Sequence, residues 1–168
     1  ASSAGAELVR CGAAEVVVEG WQRYAGGVQT IAFVPTVGVA HGLARAFKAA
    51  GVPAAAIDGS PRAAERAEII EDYRRGRVRV LANCMVLTEG FDAPETGCIL
   101  LARPTRSSGL MTQRVGRGTR PHPNKEHLTV LDFVAAVRSN DVVNVPQMFG
   151  VRDPKLAKDA AAGTVGMG

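Results

Sequence analysis

The sequence predicts an α/β domain built on a mostly parallel sheet with helices on both faces. Short, uninterrupted apolar runs typical of buried parallel strands recur along the chain, and most of them are separated by segments with helical periodicity. The 168 residues, 46% hydrophobic and 21% charged, also suit one domain with a hydrophobic core.

The first predicted elements are a helix, a strand and a second helix. The segment AAEVVVEGWQRYAGG predicts a helix with Val17, Trp21 and Tyr24 on one side, and a glycine pair ends it. The run QTIAFV predicts a buried strand, and TVGVAHGLARAFKAAG predicts a helix that Gly51 stops.

A third helix and four more strands follow. The short strand AAAI precedes the helix RAAERAEIIEDYRRG, for which we expect Ser60 as N-cap and Pro61 at the first helical position. Its apolar face should carry Ile69, Ile70 and Tyr73. The runs VRVLAN, CILLA and LTVLDFV predict the remaining strands.

Functional residues should follow the strands, because ligand-binding loops of such sheets lie beyond the carboxyl ends of the strands. The regions concerned are 35–36, 58–59, 83–92 and 103–120. Two of them contain patterns with a specific chemistry.

The first pattern is QRVGRGTR. If this segment is helical, Gln113, Arg117 and Arg120 lie at i, i+4 and i+7 on one face. Two guanidiniums and an amide pointing the same way form a clamp for phosphate oxygens. Gly116 and Gly118 leave room for another backbone or a ligand. The alternative interpretation is a solvated basic helix.

The second pattern is LTEGFDAPETG, which follows a predicted strand. Its Asp92 can accept hydrogen bonds from ribose hydroxyls, and its Thr88 can donate to a phosphate. The alternative is an ordinary crossover loop in which Asp92 caps a turn.

The charge, the cysteine content and the absent motifs limit the classes of function that the sequence allows. The net charge of +4 favours a polyanionic partner. Three cysteines form no paired pattern, so we expect a reducing, intracellular (cytoplasmic) setting, and no histidine has cysteines at zinc-ligand spacing, so we expect no metal site. No apolar run approaches the roughly 18 residues that span a bilayer, so we expect no membrane partner. The chain has neither a G-x-x-x-x-G-K-S/T loop nor a G-x-G-x-x-G after its first strand.

Taken in order, these segments resemble the second RecA-like domain of superfamily 2 helicases and translocases. IAFVPTV is similar to their motif IV, VLTEGFDAP to motif V and QRVGRGTR to motif VI, with IDGSPRAAER similar to the element between motifs IV and V. The pattern EGFD-P and the run VLDFV resemble those of DEAD/DEAH-like DNA helicases and restriction-type motors more than those of DEAD-box RNA helicases. The resemblance implies a RecA-like, P-loop-type α/β/α sandwich of three layers.

The resemblance also implies nucleotide-facing roles. Arg117 and Arg120 would be catalytic arginine fingers on the γ-phosphate, with Gln113 on the same nucleotide-binding surface. Gly90 and Asp92 would approach the ribose and couple the nucleotide state to domain closure.

On the nucleic-acid side, the resemblance implies contacts with the phosphate backbone from Thr36, Gly59, Cys84 and Thr88. Cys84 stands where many relatives carry threonine. Arg114 would have a structural role.

A partner domain is implied as well. ATP with Mg²⁺ would be held mainly by a first RecA-like domain, in cis or in trans, which carries the phosphate loop that this sequence lacks. We therefore expect the isolated chain to hydrolyse ATP negligibly. The expected nucleic acid is DNA, with RNA as the alternative.

For the domain organisation, we expect an N-terminal helix and linker at 1–27, the RecA-like domain at 28–150 and a flexible tail at 151–168. A different class of function stays open, namely a non-catalytic nucleic-acid-binding or regulatory module that retains the fold. A nucleotide-sugar transferase with a similar sheet is disfavoured, because it would not explain both patterns in this order.

Overall fold

The elements of the protein follow the predicted alternation of helices and strands. A computed structural model describes residues 13–59, 62–84, 93–103, 122–123 and 125–133. In chain order the elements are α1 (Ala13–Ala25), β1 (Thr30–Phe33), α2 (Val37–Ala49), β2 (Ala54–Ile57), α3 (Ala63–Arg74), β3 (Val80–Asn83), β4 (Cys98–Leu101) and β5 (Thr129–Asp132).

The strands of the described residues form one parallel sheet in the order β2-β3-β1-β4-β5. This arrangement confirms the predicted α/β class. The last residues of all these strands stand at one level, since Phe33 lies opposite both Asn83 and Leu101. Likewise Ile57 lies opposite Asn83, and Asp132 lies opposite Leu101.

The sheet is covered on both faces. Because side chains alternate along a strand, each strand contributes to two cores. Leu100 faces the core shared with Trp21 of α1 and Phe47 of α2. Ile99 faces the opposite core, which contains Tyr73 of α3. Helix, sheet and helix therefore form the three predicted layers.

Helix α1 buries a face that differs from the predicted one. Val17 and Trp21 are buried as expected, but Tyr24 is 47% exposed. Val18 and Ala25 are buried in its place. The prediction for Tyr24 was wrong because packing against α2 and the sheet selects the stripe that runs through positions 17, 18, 21 and 25.

A buried hydrogen bond connects α1 to the start of the central strand. The indole nitrogen of Trp21 donates to Oγ1 of Thr30 at 2.6 Å, and that hydroxyl donates to the carbonyl oxygen of Val28 at 2.9 Å. The Trp21 ring meets the Phe47 ring edge to face, with centroids 5.3 Å apart. Although α1 belongs to the predicted N-terminal segment 1–27, it therefore packs on the sheet.

Helix α3 begins later than predicted. Its N-cap is Arg62, whose extended backbone (φ −56°, ψ 152°) delays the helical turn until Ala63 and whose side chain makes no capping bond. The expected cap Ser60 and the following Pro61 lie outside the described residues. The helix ends at Arg74, with Arg75 as its C-cap, and the predicted stop Gly76 follows with φ +74°.

In the part of the chain that the structure describes, no helix is long and apolar enough to cross a membrane. The predicted tail at 151–168 lies outside that part, so the domain boundaries at 27 and 150 stay predictions.

Candidate functional site at the carboxyl edge of the sheet

The carboxyl ends of the strands create a common edge, and three of the predicted nucleic-acid contacts, Thr36, Gly59 and Cys84, follow strands that end there. Backbone hydrogen bonds continue one residue beyond the strands. The amide of Cys84 donates to the carbonyl oxygen of Ile57 at 3.0 Å. Likewise the amide of Ala102 donates to the carbonyl oxygen of Phe33 at 2.9 Å. The first residue after each of these strands is thereby held in a defined place.

Thr36 lies at this edge, immediately before α2. Its side-chain oxygen accepts a hydrogen bond from the amide of Val39 at 3.2 Å, so Thr36 is the helix N-cap. The side chain is exposed, and its O–H can still donate to another group. The first turn of α2 carries no acidic residue, so the positive end of the helix dipole is not neutralised there.

Gly59 follows β2 at the same edge and is exposed. Among the described residues other than its chain neighbours, no heavy atom lies within 4 Å of the position that a β-carbon would take. The space beside Gly59 is therefore open, and a ligand backbone can approach it closely.

A hydrogen bond joins α2 to the residue that follows β2. The carboxylate of Asp58, 2% exposed, lies 2.9 Å from Nε2 of His41, whose side chain is half exposed. Sequence reasoning missed His41, because the two residues are 17 positions apart and no local pattern connects them. The buried carboxylate thereby holds the imidazole of α2 beside the end of β2.

The Cys84 side chain belongs to the core. It is 7% exposed and packs with the α1 and α2 face of the sheet. Burial raises the pKa of the thiol, nearby Arg103 opposes this shift, and Asp58 adds to it. The thiol is thus a neutral, weak donor, and its role as a phosphate contact stays a prediction.

The remaining predicted site residues lie outside the described residues, so their roles stay predictions: Thr88, Gly90, Asp92, Gln113, Arg117 and Arg120. We call residues 85–92 the glycine–aspartate segment and residues 104–121 the arginine segment. Cys84 and Arg103, which precede these segments, both stand at the carboxyl edge.

The residues that follow the two segments contact each other. Nζ of Lys125 donates to the carbonyl oxygens of Pro94 and Thr96, at 2.9 and 3.3 Å. Burial lowers the pKa of Lys125, and the charge of Glu95 opposes that shift. Sequence reasoning missed this contact, since the partners are 31 and 29 positions away.

Within the described ranges, no group of three or more histidine, cysteine, aspartate or glutamate side chains could hold a metal ion.

Comparison with protein families matches residues 14–122 to the helicase conserved C-terminal domain. A similar curated protein is IRC3 of Saccharomyces cerevisiae, whose name describes it as a candidate ATP-dependent helicase. The two are 39% identical over 119 residues, which are 71% of this chain and 17% of IRC3. The chain thus spans less than a fifth of that relative.

Solved structures share the fold. The C-terminal domain of the DEAD-box protein Dbp5 superposes with a TM-score of 0.68 at 20% identity, over 91% of both chains. The helicase Lhr of Mycobacterium smegmatis, in a structure with single-stranded DNA and AMP-PNP, gives 0.56 at 21% identity, over 71% of this chain and 16% of Lhr. These likenesses confirm the predicted architecture.

Proposed function

Because the chain belongs to the family of helicase conserved C-terminal domains, we propose that it is the second RecA-like motor domain of an ATP-dependent DNA helicase or translocase. One observation carries this proposal. The level strand ends bring Thr36 and Gly59 to the edge from which the glycine–aspartate and arginine segments depart. Nucleic-acid contacts and nucleotide contacts can then move together when this edge meets another domain.

The nucleotide-facing contacts come from the two segments. Arg117 and Arg120 donate to the γ-phosphate and stabilise the charge that develops during phosphoryl transfer. Gln113 lies on the same surface, while Gly90 and Asp92 approach the ribose. These assignments are supported by the order of the motifs within the family match.

A first RecA-like domain, in cis or in trans, holds most of the nucleotide. That domain binds the triphosphate and Mg²⁺, since this sequence has no phosphate loop. ATP supplies the transferable phosphoryl group, and this chain forms the side of the nucleotide site that faces the first domain. The isolated chain therefore hydrolyses ATP negligibly.

The nucleic-acid grip is built on Thr36, Gly59 and Thr88. Thr36 offers an exposed hydroxyl beside the positive end of α2, and Gly59 offers open backbone. These groups read the phosphate backbone rather than the bases, so binding tolerates any sequence. DNA is the proposed substrate, with RNA as the alternative. Free, buried Cys84 and Cys98 support a reducing intracellular setting.

The test uses a reconstituted enzyme in which the chain is joined to, or mixed with, a first RecA-like domain. We expect Arg120→Ala to reduce nucleic-acid-stimulated ATP turnover by about 10³-fold or more. Binding of a fluorescent single-stranded oligonucleotide should stay within about twofold, because the arginine faces the nucleotide. Arg74→Ala, at an exposed arginine in the last turn of α3, is the matched control.

Two outcomes would contradict the motor proposal. Loss of oligonucleotide binding with normal turnover in Arg120→Ala would mean that the arginine grips nucleic acid. Oligonucleotide binding without ATP turnover in any assembly would favour the non-catalytic module.

A further inference from the structure

One side chain connects the residues that follow the two functional segments. The glycine–aspartate segment is followed by Ala93, and the arginine segment is followed by His122. Lys125, five residues after Arg120, donates from Nζ to the carbonyl oxygens of Pro94 and Thr96.

A turn places Lys125 for this contact. The amide of Lys125 donates to the carbonyl oxygen of His122 at 3.0 Å. Pro123 occupies the second position of that turn, where the fixed φ of proline is favoured. The turn reverses the chain immediately after the arginine segment, and the lysine side chain extends back towards residues 94–96.

The receiving loop is itself firmly anchored. Thr96 is fully buried, its amide donates to the carbonyl oxygen of Ala93, and its hydroxyl lies 2.8 Å from that of Tyr73. The amide of Gly97 donates to the carbonyl oxygen of Gln29 at 2.9 Å. Lys125 therefore binds a fixed point of the domain rather than a free loop.

Burial and a nearby charge together define where the Lys125 ammonium lies. Lys125 is partly buried, and burial lowers its pKa, whereas the nearby Glu95 carboxylate favours the charged form. A partly desolvated ammonium is costly unless its donors are satisfied. Two carbonyl oxygens accept hydrogen bonds from the ammonium in one place, so its position is well defined.

We propose that Lys125 is a positioning residue, which holds the turn directly after the arginine segment against residues 94–96, directly after the glycine–aspartate segment. This inference rests on the proposed function. Arginine fingers contribute mainly to the transition state, and small misplacements of such groups are costly. Lys125 therefore sets the turnover rate without touching the nucleotide.

The test measures steady-state ATP hydrolysis by the reconstituted two-domain enzyme with saturating single-stranded DNA. We expect Lys125→Met to lower kcat by about 10- to 100-fold, with the KM for ATP and the Kd for DNA within about threefold. Lys125→Arg, which keeps a cationic donor, should restore kcat to within about fivefold. Lys48→Met, at an exposed lysine of α2, is the matched control and should behave as the wild type.

A double-mutant cycle distinguishes a positioning role of Lys125 from a merely structural one. Because Lys125 acts through the arginines, Lys125→Met in the Arg120→Ala background should cause little further loss, within about twofold. Turnover is expressed per folded molecule from circular dichroism, and Lys125→Gln serves as a second neutral variant.

Three results would overturn the inference: normal kcat in both neutral variants, losses that multiply with that of Arg120→Ala, or no rescue by Lys125→Arg. If Arg120→Ala itself leaves turnover unchanged, the proposed function fails and this inference fails with it. A normal kcat in Lys125→Met beside a severe loss in Arg120→Ala overturns the lysine role alone.

Discussion

At the residue scale, the important groups are polar side chains that the fold buries and pairs. The indole N–H of Trp21 donates to Oγ1 of Thr30, and the hydroxyls of Tyr73 and Thr96 are hydrogen-bonded to each other. A buried polar group without such a partner costs on the order of 1–3 kcal/mol. These pairs connect α1 and α3 to the sheet at the amino ends of β1 and β4.

The thiol of Cys98 provides a prediction with a pH dependence. Burial raises its pKa to about 12, and a hydrogen bond with Thr30 opposes the shift. The native thiol stays protonated while the unfolded thiol ionises near its ordinary value. Stability contributed by this group is therefore fully present below about pH 8.5 and is lost as the pH rises towards 12.

We measure urea unfolding at pH 8 and pH 10 in a Cys11→Ser, Cys84→Ser background. The chain that retains Cys98 should lose about 1–2 kcal/mol more than its Cys98→Ala counterpart over this interval. Thiol labelling at pH 8 should be slow until the protein unfolds. An equal loss in both chains, or fast native labelling, would contradict a buried, protonated thiol.

At the element scale, helix α2 and the end of β2 carry two of the proposed nucleic-acid contacts. Thr36 caps α2 and stays exposed, Gly59 is exposed after β2, and Asp58 next to it bonds to His41 of α2. Capping stabilises the helix, whereas the open space at Gly59 stabilises nothing within the domain. Gly59 therefore allows nucleic-acid binding to be tested apart from stability.

Gly59→Ala should weaken binding of single-stranded DNA by about three- to tenfold while leaving the unfolding free energy within about 1 kcal/mol of the wild type. A methyl group there meets no atom of the described residues within 4 Å, apart from its chain neighbours, and the change lowers the chain entropy of the unfolded state. Fluorescence anisotropy and urea titration measure the two quantities.

The control for this prediction is Gly51→Ala, at a glycine with φ +79° at the end of α2. It should destabilise the protein by about 1–2 kcal/mol without changing DNA affinity per folded molecule. Unchanged binding in Gly59→Ala would remove this position from the nucleic-acid surface.

At the scale of the whole molecule, a parallel sheet brings separate parts of the sequence to one edge. The order β2-β3-β1-β4-β5 places the strand before the glycine–aspartate segment and the strand before the arginine segment on either side of β1. The contacts proposed for nucleotide and nucleic acid would then share one sheet as their base.

The net charge of +4 and a grip on the phosphate backbone predict binding that depends on salt and tolerates sequence. Oligonucleotides of equal length and different sequence should bind within about threefold of one another. The logarithm of the association constant should fall with the logarithm of the NaCl concentration, by roughly 0.7 for each phosphate that the protein neutralises. Salt-independent binding of one preferred sequence would contradict a backbone grip.

The sequence determined the class of the fold, the order of its elements and the family, because strand and helix periodicities and the motif order are local properties of the chain. It predicted the placement of Thr36 and Gly59 beyond their strands for the same reason. Tertiary packing decided which stripe of α1 is buried and that the Cys84 thiol belongs to the core. It also decided the pairing of His41 with Asp58 and of Lys125 with residues 94–96. Those contacts join residues 17 to 31 positions apart. The packing of α2 on the sheet brings His41 to Asp58, and the pairing of β5 with β4 brings Lys125 close to residues 94–96.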